Sequence, residues 1–210
     1  MPLRALASLL APPVCAGCGG HAGSAEPLCG ACRMELRCLA GVAEVAGLRV
    51  FAPLAYEGPA RALVRALKFR GATLAAEAMA AAIAAGAPSG MLEGGRLVPV
   101  PLHPRRLRRR GFNQAERLAA ALSRRTGLEM TACLRRTGPA RTQVGRHRDE
   151  RLAGTHGTVA VRPGAAVPER AILVDDVVTT GATVAACAAA LRTAGALAVS
   201  AIAYARTPAR

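Results

Sequence analysis

The sequence predicts an α/β fold, a parallel sheet flanked by helices, with a small cysteine-bearing module ahead of it. Three observations carry this reading. From residue 48 onward, short apolar runs of strand length alternate with longer apolar segments of helical spacing, the pattern of βαβ units and of a parallel sheet covered on both faces. Four cysteines fall within residues 15–32, a segment too small to make its own core. At 210 residues the chain is long enough for one such domain and a small appendage. The expected division is 1–45 for an N-terminal helix and cysteine module, and 46–210 for the α/β domain.

Residues 1–14 open with a short apolar run that Arg4 interrupts and Pro12-Pro13 end, which predicts a short helix and not a signal peptide. Leu48 to Tyr56 alternates loosely as a strand. Pro59 to Phe69 has helical spacing at Ala62, Leu63, Ala66 and Leu67, and Thr73 to Ala85 reads as a second helix, almost wholly Ala with Leu74, Met79 and Ile83. Gly86 to Gly95 is rich in Gly, Pro and Ser and predicts a connection. Leu97 to Val100 reads as a short buried strand ended by Pro101. Asn113 to Arg125 reads as an amphipathic helix with Ala115, Leu118, Ala119 and Leu122 on one face. A strand near Met130 to Leu134, a polar basic stretch from Arg135 to Gly157, and a strand from Thr158 to Val161 follow. Then come an apolar run from Ala171 to Val174, a helix from Val184 to Ala194, and a last strand from Leu197 to Tyr204. No segment reaches the roughly 18 unbroken apolar residues that a membrane span needs, so the expectation is a cytoplasmic chain without membrane insertion.

Cys15, Cys18, Cys29 and Cys32 form C-x2-C-x10-C-x2-C, with Gly17 and Gly19 beside the first pair and Gly30 beside the second. Two residues between cysteines let both thiolates grip one ion from a tight turn, and glycine lets backbone N–H groups point back at sulfur. A structural tetrahedral zinc site follows, in a compact ribbon or paired knuckles; an iron–sulfur centre, and disulfides or free thiols, are the alternatives. His21 and Cys38 are spare ligands. Cys133 and Cys187 stand alone in apolar stretches and read as core residues.

The basic residues are 27 arginines and a single lysine, Lys68, and 28 basic against 13 acidic residues give a net charge of +15. Such an excess favours polyanionic partners, whether nucleic acid or an anionic substrate. The chain has no Trp; its aromatics are Phe51, Tyr56, Phe69, Phe112 and Tyr204. Contact with single-stranded DNA would therefore be mainly phosphate-driven and salt-sensitive, because base stacking needs aromatic platforms.

The most informative segment is Ile172 to Thr183, Ile-Leu-Val-Asp-Asp-Val-Val-Thr-Thr-Gly-Ala-Thr. A strand delivers two adjacent carboxylates, and a Thr-Thr-Gly-x-Thr turn then opens onto a helix. Thr179, Thr180, Gly181, Ala182 and Thr183 offer hydroxyls, backbone N–H groups and a helix N-terminus, all suited to a phosphate dianion. Asp175 and Asp176 repel phosphate, so their partner is a pair of vicinal hydroxyls, a metal ion, or both. A sugar carrying a 5'-phosphate meets both demands.

This segment resembles the signature of the type I phosphoribosyltransferases. That resemblance implies that the two acidic residues bind the ribose hydroxyls of phosphoribosyl pyrophosphate (PRPP), while the loop binds its 5'-phosphate. It also implies a pyrophosphate-binding loop after an earlier strand. Here Pro99-Val100-Pro101-Leu102-His103-Pro104 is followed by Arg105, Arg106, Arg108, Arg109 and Arg110. Guanidinium groups bind phosphate in a planar, bidentate fashion, which suits Arg105 and Arg110 to the leaving pyrophosphate.

The order of segments along the chain is similar to the ComF family. A cysteine ribbon is followed by Tyr56-Glu57-Gly58, Leu67 to Gly71, Pro99 to Leu102, Arg110 to Gln114, the Thr142-Gln143 loop and the ribose-phosphate signature. The chain departs from the family pattern after Thr142-Gln143, where Arg151 is followed by Gly154 and Thr155-His156-Gly157 in a loop resembling the flap that closes over PRPP. The family resemblance implies a role linked to DNA uptake. It implies phosphoribosyl transfer with Mg²⁺ held mostly by substrate oxygens and water, and with Lys68 or His103 assisting the leaving group. The competing implication is a non-catalytic PRPP-sensing adaptor that contacts single-stranded DNA or DNA-uptake proteins.

Overall fold

The computed structural model describes residues 14–23, 26–70, 72–136 and 159–208. The predicted helix near the N-terminus, the Thr142-Gln143 loop and the flap at 151–157 lie outside the described residues. Six helices are described: α1 (Gly30–Met34), α2 (Gly58–Arg70), α3 (Thr73–Gly86), α4 (Pro104–Arg110), α5 (Gln114–Thr126) and α6 (Ala182–Thr193). The strands are β1 (Val42–Val45), β2 (Leu48–Phe51), β3 (Leu54–Ala55), β4 (Arg96–Pro99), β5 (Leu134–Arg136), β6 (Val159–Val161), β7 (Arg170–Val178) and β8 (Ala198–Arg206).

The main sheet runs β1-β2-β8-β7-β4, with β3 also paired to β8. Every pairing is parallel except β1 with β2. The sheet is therefore mixed and mostly parallel, a correction to the wholly parallel expectation. Val45 and Leu48 are joined by Ala46 and Gly47 alone, both at positive φ (51° and 72°). A two-residue loop of that hand makes a hairpin, whereas parallel neighbours need a crossover of a dozen residues or more. β5 and β6 form a separate antiparallel pair. The strand expected near Met130 to Leu134 is displaced: Met130 makes one parallel bridge with Leu97, and the strand itself, β5, begins at Leu134.

Side-chain alternation divides the core into two layers. Phe51, Leu97, Ile172, Val174, Ile202 and Tyr204 pack with the buried faces of α2, α3 and α5. Val50, Val98, Leu173, Ala201 and Ala203 pack with Val184, Cys187 and Leu191 of α6. Cys15, Ala22, Leu28 and Cys32 are continuous with the first layer. Backbone bonds from Leu39 to Pro53 and from Ala55 to Arg37 tie the segment after the cysteines to β3, and β1, which precedes residue 46, is a strand of the main sheet.

Candidate functional site: a strand, turn and helix with a basic neighbour

β7 extends further than its apolar run suggested, so Asp175 and Asp176 lie inside the strand and not at its solvent-facing end. Alternation then points them to opposite faces. Asp176 falls on the face of Ile172 and Val174 and is 2% exposed. Its Oδ2 meets the Lys68 Nζ of α2 at 2.7 Å, a charge contact without regular hydrogen-bond alignment. Its Oδ1 accepts from the Gln114 side chain of α5 at 3.4 Å. Asp175 falls on the α6 face, half-buried, where its Oδ1 accepts the Asp176 backbone N–H at 2.8 Å. Burial, reinforced by the neighbouring Asp176 carboxylate, pushes the Asp175 carboxyl well above the usual range. Across that face, burial also pushes the Cys187 thiol up to about 12.

Beyond Val178 the chain turns through exposed Thr179 and Thr180. Gly181 then caps α6 in the left-handed conformation, φ 78°. Any other residue would be strained there: a Cβ would lie 2.6 Å from Val45 Cγ1 and 3.0 Å from Ala46 Cβ, at the tip of the β1–β2 hairpin. The Ala182 N–H donates to Thr180 Oγ1 at 3.4 Å, which folds the turn over the start of α6. Asp175 and the whole turn from Thr179 to Thr183 line one small hollow. The structure thus brings one predicted carboxylate together with the predicted phosphate turn, and holds the other, Asp176, behind it.

The arginine-rich segment forms α4, a helix where the resemblance implied a pyrophosphate-binding loop. His103 is its N-cap, with Nδ1 accepting the Arg105 N–H at 3.2 Å. Arg105 is exposed at the first turn of α4. Arg110, in the last turn, donates to Gln114 Oε1 and lies over the Phe69 ring at 5.6 Å. Burial pulls the Arg110 guanidinium downward, while the Asp176 charge opposes this. Gln114 therefore links Arg110 to Asp176, a connection the sequence reading missed; Lys68 had been weighed only as a leaving-group assistant. The one available signal was that Lys68 is the sole lysine among 28 basic residues.

Away from this site, the ligand atoms of Cys15, Cys18, Cys29 and Cys32 lie within 4.8 Å of one another. The 3.8 Å between Cys18 Sγ and Cys29 Sγ matches the edge of a tetrahedron with metal–sulfur bonds of about 2.3 Å, roughly 3.8 Å, and far exceeds a disulfide bond of about 2.05 Å. The set can hold a single structural ion such as zinc. Cys15 Sγ accepts from the Gly17 and Cys29 N–H groups at 3.4 and 3.2 Å, and Cys18 Sγ from Gly20 at 3.4 Å. Burial raises the Cys15 thiol, but these backbone donors outweigh it and bring it down to about 6. Burial and the neighbouring cysteines push Cys32 up to about 12. A Cβ on Gly17 would lie 2.8 Å from Cys32 Sγ, so the turn depends on glycine. His21 pairs through its backbone with Val14, and Cys38 is exposed outside the cluster.

The fold and these sites define an α/β protein with a mostly parallel mixed sheet, a strand–turn–helix hollow at the end of a central strand, and a four-thiolate cluster. Over 89 residues the chain is 37% identical to the competence protein ComFC of Streptococcus pneumoniae (strain ATCC BAA-255 / R6). The alignment covers 42% of this chain and 38% of that protein, so the chain matches well under half the length of this curated relative. The resemblance to the ComF family carried by the order of motifs is borne out by this relative. No protein-family model matches the chain. Among the described residues, no helix is long and apolar enough to cross a membrane.

Proposed function

We propose that the chain is a ComF-type, PRPP-binding protein of the type I phosphoribosyltransferase class, with the zinc ribbon within residues 1–45 and the phosphoribosyl-binding unit over 46–210, to whose sheet β1 is added from the first segment. The observation that carries this reading is the hollow at the end of β7, where a carboxylate and a glycine-capped helix N-terminus meet. The turn from Thr179 to Thr183 takes the 5'-phosphate through backbone N–H groups and hydroxyls. The Asp175-Asp176 pair serves the ribose, and Arg105 and Arg110 serve the departing pyrophosphate.

In transfer, the bond from C1 to the pyrophosphate oxygen breaks as a lone pair of the acceptor reaches C1, and the acceptor gives up its proton. Positioning and charge stabilisation supply the catalysis. Mg²⁺ is carried by substrate oxygens and water, while Cys15, Cys18, Cys29 and Cys32 hold a structural zinc. The name of the relative and the +15 charge of this chain support a role linked to DNA uptake in the cytoplasm.

Titration calorimetry with PRPP and Mg²⁺ tests the site, with saturable binding expected. Pyrophosphate release across a panel of bases, amines and nucleic acids tests catalysis. PRPP binding without release for any acceptor would favour the second reading, a PRPP-sensing adaptor that contacts single-stranded DNA or uptake proteins through its basic surface.

A further inference from the structure

Ala46 is the one non-glycine residue at positive φ among the described residues, at 51°. Glycine would sit there without the steric cost that an alanine methyl carries, and the next residue, Gly47, does so at 72°. The methyl has a neighbour. The position a Cβ would take on Gly181 lies 3.0 Å from Ala46 Cβ and 2.6 Å from Val45 Cγ1, so both side chains press on that glycine. Gly181 lines the hollow at the end of β7, and the hairpin tip touches it from outside, with Val45 half-buried against the α6 layer. Two left-handed residues, one in a hairpin loop and one at a helix N-cap, thus meet. Towards the helix, Gly181 is fixed by its carbonyl, which accepts the Ala185 N–H at 2.9 Å. Towards the strand, Thr179 and Thr180 are exposed, and the turn closes on one 3.4 Å bond from the Ala182 N–H to Thr180 Oγ1. Glycine has the widest choice of φ of any residue, and the conformation of Gly181 decides where the Ala182 and Thr183 N–H groups point. Backbone strain of the kind seen at Ala46 persists where the surroundings fix it, and it clusters at binding sites.

We propose that Val45 and Ala46 are positioning residues for the phosphate turn: the hairpin tip holds Gly181 in its left-handed conformation and so presets the N–H groups that a phosphate monoester meets. The proposal rests on the ribose-phosphate reading and deepens it, because part of the support of the site then comes from β1, within the segment that carries the cysteines. The turn is ordered in folding and not in binding, which favours affinity. The effect belongs to the 5'-phosphate alone, so it is equal for ribose 5-phosphate and for PRPP.

The test is calorimetry on the full chain with two probes, ribose 5-phosphate and PRPP with Mg²⁺, for the wild type, Ala46→Gly, Val45→Ala and Val45→Thr, alongside urea unfolding of each. Ala46→Gly removes the methyl that touches Gly181 and also relieves the positive φ of Ala46. Its affinity for both probes is expected to fall about threefold or more while its unfolding midpoint holds or rises, a divergence that a merely structural role would not give. Val45→Ala is expected to lose about tenfold, the range set by re-ordering one freed backbone residue on binding. Val45→Thr keeps the branched shape and stays within about twofold of the wild type. Affinity within about twofold of the wild type in Ala46→Gly would overturn the proposal, even if Val45→Ala fails to fold. So would a Val45→Thr as weak as Val45→Ala, or a loss confined to PRPP. A wild type that binds neither probe would overturn the ribose-phosphate reading itself, and the proposal with it.

Discussion

The four-cysteine cluster and the hollow at the end of β7 are both built from short sequence segments, yet they are assembled in opposite ways. The cluster is local: its ligands lie within 18 residues of chain, and their spacing places them within 4.8 Å of one another. The β7 site has its signature in twelve residues, but the partners of those residues come from α2, α4, α5 and the β1–β2 hairpin. Spacing is enough to gather four possible metal ligands. The roles of adjacent carboxylates depend on which face of the sheet each one reaches and on what waits there.

The sharpest way to break this contrast is to remove the metal. Because Cys15, Leu28 and Cys32 are part of the main core, chelation is expected to lower the melting temperature of the whole chain, the lost apparent free energy being on the order of 10 kcal/mol. A thermal scan in which only residues 14–34 melt would show the cluster to be energetically separate. Next in size is Gly181→Ala, which places a Cβ against Val45 and forces alanine to φ 78°. A loss of about 2–5 kcal/mol is expected from the two effects, measurable by urea unfolding.

The two aspartates should then differ in sign. Asp176→Asn leaves Lys68 without its counter-charge and is expected to cost about 1–3 kcal/mol, below the value for a fully buried pair because the lysine is partly solvated. Asp175→Asn removes a carboxylate that burial disfavours, so stability at neutral pH should stay equal or rise. The pH dependence separates them further. Asp175 binds its proton more tightly in the folded chain than in the unfolded one. Its stabilising contribution is therefore full below the ordinary value of 3.8 and is lost as pH rises through the raised folded value. The difference in unfolding free energy between wild type and Asp175→Asn should follow that course; a flat difference would show Asp175 to be solvated. The smallest effect is expected from Cys38→Ser, less than about 0.5 kcal/mol at an exposed position, with the metal content unchanged. A loss of metal would add Cys38 to the ligand set.

Much of the fold was legible because periodicity reports burial. The alternation at 48–56, the buried runs at 97–100 and 171–174, and the helical spacing of α2, α3, α5 and α6 all reflect the layer each faces. What escaped has particular causes. The β1–β2 hairpin turns on Ala46-Gly47 and lacks the Asn-Gly or Asp-Gly pair that usually marks such turns. α4 was hidden by the prolines at and before its start, although Pro104 occupies the first helical position, where proline's fixed φ favours a helix and its missing N–H is not needed. The turn from Thr179 to Thr183 was readable because its shape rests on its own backbone, with Gly181 at φ 78°. The burial of Asp176 was not, since it depends on β7 continuing past Val174 and on Lys68 and Gln114 arriving from 108 and 62 residues away.

The count of lysines has an experimental consequence of its own. An amine-directed acylating reagent has one side-chain target in the whole sequence, and that target is the partner of Asp176. The unaltered chain therefore carries a built-in reporter. The rate at which Lys68 is acylated, set against that of the terminal amine in the same tube, reads how far its pair with Asp176 is open.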